Sequence, residues 1–265
     1  MNSGTLHIIA TPIGNLGDIT LRAIETLKNV DLIACEDTRH TGQLLKHFGI
    51  DTQMVSYFQH SKVSKTEYII EQLLSGKNLA LVTDAGTPGI SDPGQALIQR
   101  IREISNFQFL ISNECSNDQI SNYLASLDLE IKELIENLEL KIKNSGPVEI
   151  IPVPGPSALA AAASVSGSIR KEFYFAGFLP KKKGRQTQFK RLVAIKAPIL
   201  LYESANRLER TLGDIMTYFG DGVEVFIARE MTKAFEEYWG GKIQEVISSL
   251  SRHKLKGEIV LIIKQ

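Results

Sequence analysis

The chain has 265 residues, 43% of them hydrophobic, which suffices for one large core or two small ones. No window approaches the roughly 20 apolar residues of a membrane span. The opening Met1-Asn2-Ser3-Gly4 lacks the basic n-region of a signal peptide, and Cys35 and Cys115 alone make neither a disulfide framework nor a zinc site, so reduced thiols in the cytoplasm are expected. The net charge is zero, yet residues 1–166 carry 12 Lys/Arg and 19 Asp/Glu while residues 167–265 carry 18 and 11; the halves stand at −7 and +7. Such asymmetry points to a polyanionic partner, against the plainer explanation of chance clustering on a solvated surface.

The apolar run at 6–10 is of strand length and ends at the breakers Pro12 and Gly14. Residues 20–29 place apolar side chains at 21, 24 and 27, a helical spacing. Strands are then expected at 31–35, 54–57 and 78–83, separated by helices at 38–48 and 63–74. This alternation predicts an α/β protein with a parallel sheet. Residues 104–146 differ: 106–126 has no clean period, whereas Ile131, Leu134, Ile135, Leu138 and Ile142 form one helical stripe. They read as a helical insertion packed on the main sheet, with a lid or a dimer contact as the functional alternative. A strand at 148–153, the turn Pro154-Gly155-Pro156 and a small-residue helix at 157–163 follow. The Ser- and Gly-rich stretch 165–170 suggests a boundary, giving an N-terminal domain at 1–166 and a basic C-terminal domain at 167–265. In the latter, strands are expected near 173–175, 199–202, 223–228 and 258–263, and helices near 188–195, 205–219 and 243–251.

Three turns after predicted strands share one composition: 11–18, 84–94 and 154–158, all rich in Gly and Pro. Glycine permits positive φ and close approach of a ligand; proline stiffens the loop around it. Parallel sheets place their ligand crevice at the carboxyl ends of strands, where these loops fall. Neither GxxxxGK[ST] nor GxGxxG after the first strand is present, so phosphate-cradling loops are not expected. Asp84 and Asp92 suit a ribose, an amine or a cation instead, although Asp92 also reads as a helix cap beside Pro93.

The segments 10–20 (ATPIGNLGDIT), Glu36-Asp37-Thr38-Arg39, 84–94, 154–158 and Gly177-Phe178-Leu179-Pro180 resemble the bacterial 16S ribosomal RNA cytidine 2′-O-methyltransferases, a branch of the tetrapyrrole-methylase superfamily. The resemblance spans nearly the whole chain except 104–146. It implies the two-domain α/β fold of class III S-adenosylmethionine methyltransferases, with the cofactor in the cleft between domains, and usually a homodimer. The implied cofactor contacts are Pro12, Ile13, Gly14, Val82, Thr83, Asp84, Thr87, Ser157 and Ala158, then Glu203 and Met231 from the second domain. For Met231, core packing is the plain alternative. Ala205-Asn206 stands where relatives usually carry Pro-His, which puts any role of that histidine in doubt.

A sulfonium methyl is already electrophilic, so the enzyme must align a ribose oxygen and take up one proton. No metal is required. Glu36 or Asp37 is the expected proton acceptor or nucleotide positioner, with Arg39 holding a phosphate or carboxylate; equally, Asp37 or Thr38 could cap the helix that follows. Lys181, Lys182, Lys183 and Arg185 are the expected RNA-binding residues, since four cations in five residues bind phosphates. Two rivals stand beside this reading. One is a methylase of a tetrapyrrole or other small molecule on the same fold, which would need no basic loop. The other is an inactive cofactor-binding module that docks on ribosomes.

Overall fold

The computed structural model describes residues 2–58, 63–113 and 115–264. Met1 of the opening stretch, His60 among the five histidines and Glu114 in the expected insertion lie outside the described residues. The chain forms two compact units: one runs up to Pro12 and over Leu16–Pro156, the other takes Ile13–Asn15 and continues from Ser157. The division therefore falls at 156/157, not at 166/167. The small-residue helix α7 (Ala158–Val165) explains the difference, because Ala162 is fully buried in the apolar cluster of the C-terminal unit. No charged residue lies at 13–15 or 157–166, so the −7 and +7 balance holds for the units as well.

In the N-terminal unit the chain order is β1 (Thr5–Ile9), α1 (Leu21–Asn29), β2 (Leu32–Cys35), α2 (Thr38–His47), β3 (Met54–Ser56), α3 (Val63–Leu74), β4 (Leu79–Val82), α4 (Gly94–Ser112), α5 (Asn117–Ser126), α6 (Leu129–Asn144) and β5 (Glu149–Val153). Its sheet, ordered β3-β2-β4-β1-β5, is parallel throughout. Every residue of β2 and β4 is buried, as expected for parallel strands covered on both faces. Strand alternation sends Leu32, Leu79 and Leu81 towards α3, α4 and α6, and sends Ile33, Ala80 and Val82 towards α1 and α2.

The segment 104–146 belongs to that first layer. Ile131, Leu134, Ile135, Leu138 and Ile142 are all buried against it, each contributing about 1.5–3 kcal/mol of burial. Asp128 caps α6 by accepting from the Ile131 N–H at 2.9 Å. Residues 106–112 lack a clean period because Gln108 occupies a core position on α4, where its amide donates to the carbonyls of Ile142 (3.2 Å) and Gly146 (3.0 Å).

After α7, the C-terminal unit continues with β6 (Tyr174–Phe178), α8 (Arg185–Val193), β7 (Ile199–Ser204), α9 (Ala205–Phe219), β8 (Glu224–Arg229), β9 (Glu237–Lys242), α10 (Ile243–Ser249) and β10 (Glu258–Lys264). Its sheet, β6-β7-β10-β8-β9, is mixed: β6 and β7 run parallel and the other pairs antiparallel. Leu201, Ile227 and Leu261 face α8, α9 and α10, while Leu200, Ala228 and Val260 face α7. No helix among the described residues is long and apolar enough to cross a membrane.

Candidate active site

At the carboxyl ends of β1, β2, β4 and β5, hydrogen bonds tie four turns of the N-terminal unit together. Thr11, only 2% exposed, exchanges backbone hydrogen bonds of 2.9 and 3.0 Å with Gly86, and its hydroxyl donates to the Thr83 carbonyl at 3.0 Å. Gly86 sits at φ +85°, a conformation that a Cβ would oppose. The Thr87 hydroxyl donates to the Pro156 carbonyl at 3.1 Å, which fastens the long loop to the turn after β5. Asp92 accepts from the N–H groups of Gly89 (2.9 Å), Ile90 (3.2 Å) and Gly94 (2.7 Å). It therefore clasps the loop onto the first residue of α4, close to the capping role expected of it.

Beside this frame, β2 delivers Glu36 and Asp37, and β4 delivers Thr83 and Asp84. The Glu36 carboxylate accepts from the Thr83 hydroxyl at 3.0 Å, and Asp84 accepts from the Asp37 N–H at 3.2 Å. Asp37 caps α2 by accepting from the Arg39 N–H at 2.8 Å, and it pairs with the Arg39 guanidinium at 2.7 Å. Those bonds hold the Asp37 carboxyl well below the usual carboxylate range. A carboxylate held so firmly ionised is a weak proton acceptor. The carboxylate that Arg39 holds is its neighbour's. Its side chain is otherwise 89% exposed. Cys35, at the end of β2, is buried: burial pushes its thiol up, a hydrogen bond with Thr41 acts against this, and Asp84 and Asp37 add to the rise.

Three carboxylates and one neutralised cation make an edge that favours positive charge and hydroxyl donors over phosphates. Among the described residues no group of three or more His, Cys, Asp or Glu is placed to hold a metal.

In the C-terminal unit, Ile13 packs with Ala162, Leu200 and Met231. Gly14 lies so close to Lys233 that a Cβ would come 2.4 Å from its Cγ. Lys233 cannot easily yield, because its ammonium pairs with Glu230 at 2.9 Å and Glu258 at 3.0 Å. Glu230 and Thr232, on either side of Met231, adopt φ +50° and +66°, a conformation that costs a non-glycine residue about 1–2 kcal/mol. Ser157 precedes α7 without a side-chain capping bond, and Ala158 is half-buried against the same apolar cluster.

Three expected site residues have enclosed side chains. Glu203 is 2% exposed, and both its oxygens are occupied: by the Ser204 N–H (2.9 Å), Arg207 (3.1 Å) and the Thr211 hydroxyl (2.6 Å). The family resemblance implies a cofactor contact at this position; the side chain itself anchors the first turns of α9. The Met231 side chain is a core residue, as its plainer reading had it. Arg185 is 4% exposed, paired with Asp214 at 2.7 Å and bonded to Thr211 at 2.8 Å, so it cannot serve as a solvated phosphate ligand. Lys181, Lys182 and Lys183 are exposed.

The sequence matches the family of tetrapyrrole (corrin/porphyrin) methylases over residues 5–111 and 131–247. The chain belongs to this family. Between residues 5 and 247 the match omits only 112–130, so the insertion expected across 104–146 narrows to the end of α4, α5 and the start of α6. Among curated relatives, ribosomal RNA small subunit methyltransferase I of Synechocystis sp. is 40% identical over 98% of this chain and 78% of its own. The protein of that name from Escherichia coli O157:H7 is 37% identical over 99% of this chain and 78% of its own. Solved structures share the methylase's fold at much lower identity. The methyltransferase CobJ superposes with a TM-score of 0.63 at 14% identity, covering 99% of this chain and 95% of its own. Uroporphyrin-III C-methyl transferase from Thermus thermophilus, complexed with S-adenyl homocysteine, gives 0.57 at 10%, covering 99% and 98%.

Two structural parts of the methylase had no signal that periodicity could catch. Strand β9 contains Gly240-Gly241 and charged ends, so its alternation is not apolar. Thr11 reads as one more turn residue; only its burial and its bonds to the β4 loop reveal that it organises the site.

Proposed function

We propose that this methylase transfers the methyl group of S-adenosylmethionine to the ribose 2′-hydroxyl of a cytidine in 16S ribosomal RNA of the small subunit. The observation that carries the reading is the 37–40% identity to ribosomal RNA small subunit methyltransferase I along nearly the whole chain. When bound, S-adenosylmethionine supplies a methyl group made electrophilic by its sulfonium. The acidic edge formed by Glu36, Asp37 and Asp84 fits a cationic ligand with ribose hydroxyls. Pro12, Val82, Thr83, Asp84 and Thr87 are the residues of the N-terminal unit that would hold it; Ile13, Gly14, Ser157 and Ala158, with the backbone at Glu203 and Met231, complete the set that the resemblance implies.

Glu36 takes the proton of the attacking hydroxyl, with the Thr83 hydroxyl fixing the orientation of its carboxylate. Asp37 and Arg39 hold the start of α2, and so the position of Glu36. Lys181, Lys182 and Lys183 bind RNA phosphates and give affinity more than sequence choice. The protein acts as a homodimer in the cytoplasm, where its ribosomal substrate is made. The rival reading, methylation of a tetrapyrrole or other small molecule, is favoured by no feature of the basic loop.

The test is transfer of tritiated methyl from S-adenosylmethionine to small ribosomal subunits that lack the modification. Label in the RNA, recovered in an alkali-resistant dinucleotide from one 2′-O-methylated position, is expected. Label only in a small-molecule acceptor would sink the reading.

A further inference from the structure

We propose that Phe178 is a stacking platform for an unpaired base of the RNA substrate, a role that rests on the functional reading above. Phe178 is the last residue of β6, just after a register shift between Phe175 and Gly177, and is 57% exposed, unusual for a phenylalanine in a strand. Its ring is held from behind. Phe178 pairs in register with Tyr202 of β7, with ring centroids 5.4 Å apart, and Tyr202 is braced edge-on by Phe175 at 5.0 Å.

The chain beyond the ring is equally fixed. Three successive carbonyls, those of Leu179, Pro180 and Lys181, each accept from a different arginine: Arg207 (2.6 Å), Arg185 (3.2 Å) and Arg210 (3.2 Å). This explains why Arg185 and Arg207 point inward. They hold the backbone that connects the exposed ring to the exposed ammonium groups of Lys181, Lys182 and Lys183. The three residues from Phe178 to Lys181 span at most about 10 Å, and the five to Lys183 at most about 18 Å, so ring and cations lie within reach of neighbouring nucleotides of one strand.

An open aromatic face beside a row of cations is the combination that single-stranded nucleic acid uses, base on ring and phosphate on cation. A second protein surface is a poorer occupant, because lysines are depleted from the cores of protein interfaces. A base in a duplex offers no free face, so the platform selects an unpaired segment.

The test is equilibrium binding of an RNA oligonucleotide with 2-aminopurine at one unpaired position, measured over a range of KCl concentrations. Phe178→Ala should weaken binding about tenfold or more and relieve the quenching of 2-aminopurine, while leaving the salt slope unchanged. Phe178→Trp should restore both. The triple substitution of Lys181, Lys182 and Lys183 by Ala should do the reverse, flattening the slope by about 2. Binding of a duplex of the same length should not respond to Phe178→Ala. Wild-type affinity and quenching in Phe178→Ala would overturn the proposal, as would a change confined to self-association in sedimentation. If wild-type protein bound no RNA, the functional reading would fall with it; binding that is intact and indifferent to Phe178 removes the platform alone.

Discussion

The two units treat charge in opposite ways. In the N-terminal unit, Glu36 and Asp84 sit half-buried at the ends of strands and bond to hydroxyl and backbone groups, which leaves their negative charge uncompensated. In the C-terminal unit, Glu203 also ends a strand, yet it is enclosed by Arg207 and Thr211, and Thr211 links it to Arg185 and Asp214. The first arrangement keeps a field available to a ligand. The second neutralises its charges internally and uses them to hold α9 against the basic loop. Position after a strand therefore does not make an acid functional; its supply of buried donors decides.

That contrast is breakable at three levels. The largest effect is expected at Glu36: Glu36→Gln should lower methyl transfer by about 100-fold or more, with the fold unchanged by circular dichroism. A Glu203→Gln control that lost activity at constant stability would instead place the chemistry in the wrong unit. Next, Arg185→Met leaves Asp214 and the Pro180 carbonyl without their donor and should cost about 3 kcal/mol in urea unfolding, the lower end for a broken buried pair because Asp214 is partly exposed. The salt slope of RNA binding should stay as it is; a flatter slope with unchanged stability would return Arg185 to the RNA surface.

The smallest effect concerns pH. Burial alone would raise Glu237, but hydrogen bonds from His253 and Arg229 outweigh it and hold its carboxyl below the ordinary 4.5. A depressed carboxylate contributes stability above its unfolded value, and that contribution is lost as the pH falls through the folded one. Denaturation midpoints should thus be flat above about pH 4.5 and decline below it, and Glu237→Gln should make the decline shallower. An unchanged acid limb would show that this ion cluster is not what acid disrupts.

Most elements were legible because their periodicity follows from burial. The strands at 32–35 and 79–82 read as apolar runs since both faces are covered, and the stripe of α6 read as a helix since one face is. The last turns of α4 were hidden by Gln108, a polar residue whose partners come from residues more than 30 positions away. The domain boundary was misplaced for a similar reason: Ser and Gly marked a flexible-looking stretch, while the packing of Ala162 assigned the helix before it.

Sequence alone determined the parallel α/β pattern of the N-terminal unit, the three Gly/Pro loops and the charge split, because each depends on composition and local spacing. Only the tertiary structure decided which charges remain available. Asp37 and Arg39 satisfy one another locally, but the enclosure of Glu203 and Arg185 arises from side chains that meet only when β7, α8 and α9 pack together. A buried ion must find its partners at the moment it leaves water, and no one-dimensional pattern records which partners those are.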